Sequence, residues 1–176
     1  RLVVHYALAT IGTTGVASIA EAYEKGQADF HSMVADIANI PRGQAKTINL
    51  GLFYGMGKAK LQAQLGVSEE RAKNLLDTYH SSVPFVKQLI YHTMDRAQER
   101  GWIRTVLGRK CRFNMWEPAT FGMHKPQTYE EASIEHGSRN IKRAFTYKAL
   151  NKLIQGSAAD MTKQAMINLR QEGLTP

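Results

Sequence analysis

Apolar positions recur along most of this chain with helical spacing, and glycine or proline interrupts them at short intervals, which predicts a string of short helices. Residues 2–9, LVVHYALA, are apolar and fit either the start of a core helix or the end of a strand, and the stretch from Gly12 to Gly15 breaks them. Within that run His5 is expected to be a core histidine with its hydrogen bonds met. A second helix is predicted over 16–25, stopping at Gly26, and Asp29 stands where it would cap a helix over about 31–39. Pro41 is placed as the first-turn proline of a helix over 42–55. A short helix over 58–65 follows, then Gly66. Ser68-Glu69-Glu70 signals the start of a helix over 71–81, with Leu75, Leu76 and Tyr79 as its buried stripe. Pro84 opens a long amphipathic helix to about Arg100, with Val86, Leu89, Ile90, Met94 and Ala97 inward and Gly101 as terminator.

After Gly101 the period changes. Residues 102–113 alternate apolar and polar around Gly108, which predicts a β-hairpin or ribbon. Residues 114–137 contain Pro118, Gly122 and Pro126 and read as an extended loop or insertion, with Glu130, Glu131 and Glu135 on a short surface helix. From 138 to 172 a helix or pair of helices is expected. Ile141, Phe145, Leu150, Leu153 and Ile154 form its apolar side, Arg139, Lys142, Arg143, Lys148 and Lys152 its basic side, and Asp160 with Lys163 a polar edge. The expected fold class is mainly α with a small β-hairpin.

Composition narrows the partners. A chain of 176 residues, 43% of them apolar, has material for a real core in one or two domains. Lys and Arg number 23 against 15 Asp and Glu, and the net charge of +8 favours a polyanionic partner. Cys111 is the single cysteine, so an internal disulfide is excluded, no Cys/His group has zinc-ligand spacing, and a reducing, intracellular setting is expected. No apolar run has the length of a membrane span and the N-terminus is not a signal peptide, so the expectation is a soluble, cytoplasmic protein without a membrane partner. The chain opens on Arg1 and closes just after Gly173, and both ends read as cut from something longer.

Candidate chemistry centres on 42–55, RGQAKTINLGLFYG. In a helix, Arg42, Lys46, Leu50 and Tyr54 recur every four residues as one stripe, with Tyr54 about 18 Å beyond Arg42, near the reach of an extended nucleoside triphosphate. His31, in a first helical turn, suits an anion contact aided by free backbone amides, or is a surface histidine beside a cap. Arg104, Arg109, Lys110 and Arg112 are spaced to track a phosphate backbone, or form a solvated basic turn. Asn151 and Gln155, four apart, suit neighbouring base edges in a groove, or form the polar rim of a buried helix. The small residues Gly156, Ser157, Ala158 and Ala159 let another element pack closely.

Arg42-x3-Lys46-Thr47-x-Asn49-x-Gly51-x2-Tyr54-Gly55 resembles motif B, the fingers helix of family A (DNA polymerase I-like) DNA polymerases. Three further segments resemble the family in the right order: Asp29-x-His31, Thr105-Val106-Leu107-Gly108-Arg109-Lys110, and Asn151-x3-Gln155-Gly156-Ser157-Ala158-Ala159-Asp160. The resemblance covers essentially the whole chain and implies the fingers plus part of the palm of a right-hand polymerase. Residues 1–15 would end motif A in the palm, 16–101 would be fingers helices, 102–137 a ribbon and inserted loop, and 138–176 a helix leading back to the palm. The implied function is template-directed DNA synthesis from dNTPs on a primer. His31, Arg42 and Lys46 would hold the triphosphate, with Arg42 and Lys46 catalytic and Lys46 the candidate to protonate the leaving pyrophosphate. Leu50 and Tyr54 would line the nucleotide pocket. Thr105, Arg109 and Lys110 would bind the DNA backbone, and Asn151 and Gln155 the minor groove of the primer-template.

Four departures stand out. Leu50 replaces the Phe or Tyr of most members, so sugar discrimination is expected to differ. The interval from His31 to Arg42 is short, as in phage-type members, and the 114–137 loop is long. Tyr147 stands where some members have Arg, with Arg143 one turn earlier as the substitute DNA contact. The family's two Mg²⁺ ions are held by carboxylates expected just before Arg1 and, in a His-Asp-Glu motif, just after Pro176; Asp160 is not a replacement, so the chain alone is expected to be inactive. Partners would be primer-template DNA and dNTP, with a processivity factor left open. The rival readings are a non-enzymatic basic helical nucleic-acid-binding module and a nucleotide-binding domain of another kind. The second lacks any Gly-x-x-x-x-Gly-Lys-Ser/Thr loop or Gly-x-Gly-x-x-Gly turn.

Overall fold

The computed structural model describes residues 1–12, 14–26, 29–53 and 56–174. It divides into two compact units, Arg1–Tyr91 and His92–Pro176. Among its described residues, every regular element of the first unit is a helix. Residues 2–9 belong to α1 (Leu2–Ile11), which buries Val3, Val4 and Ala7, a helical and not an alternating spacing. That rotation turns His5 to the opposite side, where it is exposed, so the core histidine expected there is not found. Gly12, at φ 64°, ends the helix in the left-handed conformation.

α2 (Thr14–Glu24) packs on α1. α3 (Phe30–Ala38) starts at Asp29, whose side chain accepts from the amides of His31 and Ser32 as expected of an N-cap. α4 (Arg42–Phe53) buries Ala45, Ile48, Asn49 and Leu52 and exposes Arg42, Lys46 and Leu50. Positions 45, 48, 49 and 52 share one helical face, and α3 packs against α4. Pro41 lies one step outside the helix, its carbonyl accepting from the Ala45 amide at 3.0 Å, so it occupies the cap and not the first turn. α5 (Lys58–Leu65) packs on α6 (Glu69–Ser82), which is capped by Ser68 through the Arg71 amide. α6 buries Ala72, Leu75 and Tyr79, while Leu76 is only half-buried.

α7 (Pro84–Arg100) runs over the expected residues, but its buried stripe is Phe85, Val86, Leu89, Thr93 and Ala97, with Ile90 and Met94 half-buried. Phe85 meets Phe30 edge to face, ring centroids 6.3 Å apart.

The second unit holds the hairpin. β1 (Trp102–Arg104) pairs antiparallel with β2 (Lys110–Arg112), Ile103 opposite Cys111. A second ribbon was not expected: β3 (Trp116–Pro118) pairs with β4 (Ile141–Arg143), Glu117 opposite Lys142. The stretch 114–137 is therefore more than a loop, and its acidic segment forms α8 (Tyr129–His136) behind a Thr128/Glu131 capping box. Residues 138–148 are not helical. Phe145, at φ 63°, and a 3₁₀ turn (Thr146–Lys148) separate β4 from α9 (Ala149–Gln171), so Arg139, Lys142 and Arg143 do not stand on the last helix. The backbone groups of 141–143 are met by a strand some 25 residues earlier, a partner that local periodicity cannot register.

The Tyr79 hydroxyl is buried with no hydrogen-bond partner, and burial pushes its ionisation well above the usual tyrosine value. Removing a stranded buried hydroxyl recovers its desolvation cost. Tyr79→Phe is therefore expected to raise unfolding stability by about 1 kcal/mol in urea denaturation.

Candidate functional site

In the first unit the exposed side of α4 meets the start of α3. One oxygen of Asp29 caps α3, accepting from the amides of His31 (3.0 Å) and Ser32 (3.4 Å). The other accepts from Arg42, with Nε and Nη2 each at 2.8 Å, and from the Ser32 hydroxyl at 3.0 Å. The Arg42 guanidinium, followed by these hydrogen bonds, holds the Asp29 carboxyl well below the usual carboxylate range. The backbone amides expected to greet an anion beside His31 already serve Asp29. Arg42 is likewise paired, so a bound anion would have to share its guanidinium with the carboxylate.

His31 is half-buried, and its Nδ1 lies 3.0 Å from Nδ2 of Asn49 on α4. Partial burial lowers its pKa, the nearby charges of Arg42 and Lys46 act in the same direction, and Asp29 opposes them. Lys46 is exposed one turn along from Arg42, and Leu50, 40% exposed, continues the stripe. Leu50 lines a concavity with Thr47, Met56, Lys60 and Gln64. Tyr54, the expected far end of the stripe, lies outside the described residues. Arg42, Lys46, Leu50 and His31 are thus brought together on or beside α4. Asn49 was quoted in the motif without a role; the usable signal was a polar residue on the otherwise apolar 45/48/52 face.

In the second unit the hairpin turn is latched to α9. Asp160, 7% exposed, accepts from the Thr105 hydroxyl and, at 2.9 Å, from Arg109 Nε. Arg109 Nη2 donates to the Gly156 carbonyl at 2.9 Å, and the Val106 amide donates to Ser157 Oγ at 3.1 Å. Gly156 makes room for this, because a Cβ there would lie 2.8 Å from Thr105 Cγ2 and 3.2 Å from Arg109 Nη2. Asp160 is therefore a buried acceptor and not a solvated polar edge. The Thr105 hydroxyl foremost, then Arg109, holds its carboxyl below the usual range. Thr105, only 4% exposed, has its hydroxyl turned into the protein.

Arg109 keeps a half-exposed side chain while it bonds α9. Lys110 is exposed, its ammonium 4.8 Å from the Trp102 ring centroid, with Arg104 5.2 Å from the same ring. Arg143 is turned inward: Nε donates to the Gln98 carbonyl at 3.1 Å, Nη1 to the Phe113 carbonyl at 3.0 Å, and the guanidinium lies 4.5 Å from the Trp116 centroid. These bonds pin β4 to the end of α7 and give Arg143 a structural task. Asn151 is half-buried and Gln155 exposed, one turn apart on α9 as expected. Among the described residues no group of three His, Cys, Asp or Glu side chains is placed to hold a metal ion. No described helix is long and apolar enough to cross a membrane.

The sequence model described as DNA polymerase family A matches residues 9–175. The DNA-directed DNA polymerase of Pseudomonas phage M6 is 34% identical, over 99% of this chain and 29% of its own length. The thermostable DNA polymerase I of Thermus aquaticus is 30% identical, over 73% of this chain and 13% of its own length. The polymerase domain of Pol1 from M. smegmatis, solved in complex with DNA primer-template and dNTP, superposes with a TM-score of 0.64 at 31% identity, covering 88% of this chain and 25% of that one. The chain thus spans less than a third of the length of these relatives.

Two outcomes test the α9 latch. Gly156→Ala is expected to destabilise the chain by about 1–3 kcal/mol in chemical denaturation, because the new methyl meets Thr105 and Arg109 too closely. The Asp160 pKa is depressed on folding, so its stabilisation is complete above the ordinary aspartate value of about 3.9 and is lost as pH falls toward the lowered folded value. Exchange of the Val106 amide, relative to amides in α6, is expected to speed up over that acidic window and to stay flat above it.

Proposed function

The chain belongs to DNA polymerase family A, and on that premise we propose that it forms the nucleotide-gripping and part of the DNA-contacting surface of a polymerase that adds deoxynucleotides to a primer under the direction of a template. The observation that carries this reading is α4: a buried 45/48/49/52 face seats the helix, and the opposite face presents Arg42, Lys46 and Leu50 beside His31. Relatives bearing the name polymerase, and a structural neighbour that holds primer-template and dNTP, support it. On this reading α2 to α7 are the fingers, while α1 and the residues from 102 onward are the ribbon and adjoining palm pieces.

The roles follow from charge and reach. Lys46 neutralises charge that builds on the triphosphate oxygens and is the proton donor to the departing pyrophosphate. Arg42 shares the same load once the incoming triphosphate competes with Asp29 for its guanidinium. Leu50 sets an aliphatic wall where most relatives carry a ring, and Tyr54 closes the base end. In the second unit Lys110 and the outer edge of Arg109 contact the DNA backbone, and Asn151 and Gln155 face the minor groove. On this reading the Mg²⁺ of this chemistry would be held by carboxylates outside residues 1–176, where it would activate the primer hydroxyl and steady the pyrophosphate. A non-enzymatic basic binding module would account for the cations of the second unit and would leave the α4 stripe without a purpose.

Primer extension by the whole polymerase carrying Lys46→Ala tests the reading. Turnover is expected to fall on the order of 100-fold or more, the scale of losing one group that stabilises transition-state charge. The isolated 176-residue chain is the control and is expected to incorporate nothing. Unchanged turnover in the Lys46→Ala polymerase would remove that residue from the chemistry.

A further inference from the structure

Asn49 is fully buried, at 0% exposure, on a helix face that is otherwise apolar. Its Nδ2 lies 3.0 Å from His31 Nδ1, across the α3–α4 contact, and its Oδ1 has no partner. A carboxamide nitrogen only donates, so the ring nitrogen that faces it must accept. A neutral imidazole that accepts at Nδ1 carries its proton on Nε2. Protonating His31 would place a second hydrogen against the amide N–H and break the contact. The surrounding charges act the same way: Arg42 and Lys46 on α4 and the α-amino group of Arg1 repel an added proton, and Asp29 at the start of α3 is the carboxylate that attracts it.

We infer that Asn49 is a positioning residue that holds His31 as the neutral Nε2–H tautomer, so that α3 offers one directed N–H donor beside the Arg42 and Lys46 charges. The consequence for substrate rests on the nucleotide-gripping reading: the donor serves a triphosphate oxygen. It needs no proton uptake to do so, and its contribution persists above pH 6.5 or so, where an ordinary histidine loses its charge. A neutral donor also orients the triphosphate without a third full charge that would tighten the hold on the departing pyrophosphate.

Imidazole ¹⁵N spectra of the histidine-labelled 176-residue chain read the tautomer directly. At pH 7 His31 is expected to show a bare Nδ1 and a protonated Nε2; an Nδ1–H tautomer, or an imidazolium, would overturn the inference. Asn49→Asp replaces the donor with an acceptor and is expected to raise the His31 midpoint by about 1–3 pH units. An unchanged midpoint in folded N49D would sink the assignment, and if that variant does not fold the spectrum of the unaltered chain decides alone. Inorganic triphosphate is then added as probe, and the Nε2 resonance is expected to move. If the tautomer is as inferred and the resonance does not respond, the nucleotide reading of α4 fails while the role of Asn49 stands.

Discussion

One carboxylate organises the exposed face of the first unit. Asp29 divides its two oxygens between the open amides at the start of α3 and the guanidinium at the start of α4, so two helix beginnings are tied through a single side chain. The packed faces of α3 and α4 then bring His31 over Asn49. Without that joint, the cation at 42 and the imidazole at 31 would be two mobile side chains on separate helices. Asp160 does the same work in the second unit, where one buried carboxylate takes both Thr105 and Arg109 and so attaches the hairpin turn to α9.

Neither arrangement stabilises the fold chiefly by charge. Exposed ion pairs such as Asp29 with Arg42 contribute little to unfolding stability, because water screens them and two flexible side chains must be ordered. Stability comes from the apolar faces: Ala45, Ile48 and Leu52 on α4, Ala72 and Leu75 on α6, and Leu150 and Leu153 on α9 are all buried. What the carboxylates contribute is direction. A guanidinium held by two donors on one oxygen points one way, so the pair fixes where the charge of Arg42 lies.

Most helices of the first unit were legible because their signals are local. Asp29 before α3, Ser68 before α6 and the four-residue spacing of Arg42, Lys46 and Leu50 act within a turn or two of chain. The β1–β2 hairpin was legible for the same reason, its strands flanking Gly108 at φ 88°. The ribbon of β3 and β4 was not, since Ile141 and Phe145 also keep helical spacing and the pairing partner lies far back in the chain. Arg143 shows the same limit. As a sequence letter it is one more cation, and only its bonds to the Gln98 and Phe113 carbonyls mark it as a structural pin.

The sequence by itself determined the family, the cationic stripe on α4 and the order of the motifs, because each depends on residue type and spacing within a helix turn or a short run. Only the tertiary structure decided which polar groups face each other. It turned Thr105 and Asp160 inward, engaged Arg42 with Asp29, and set the buried amide of Asn49 against His31. These contacts join residues 13 to 55 positions apart. Hydrogen bonding and burial at such separations are properties of packed faces, and no spacing rule within one helix or strand encodes them.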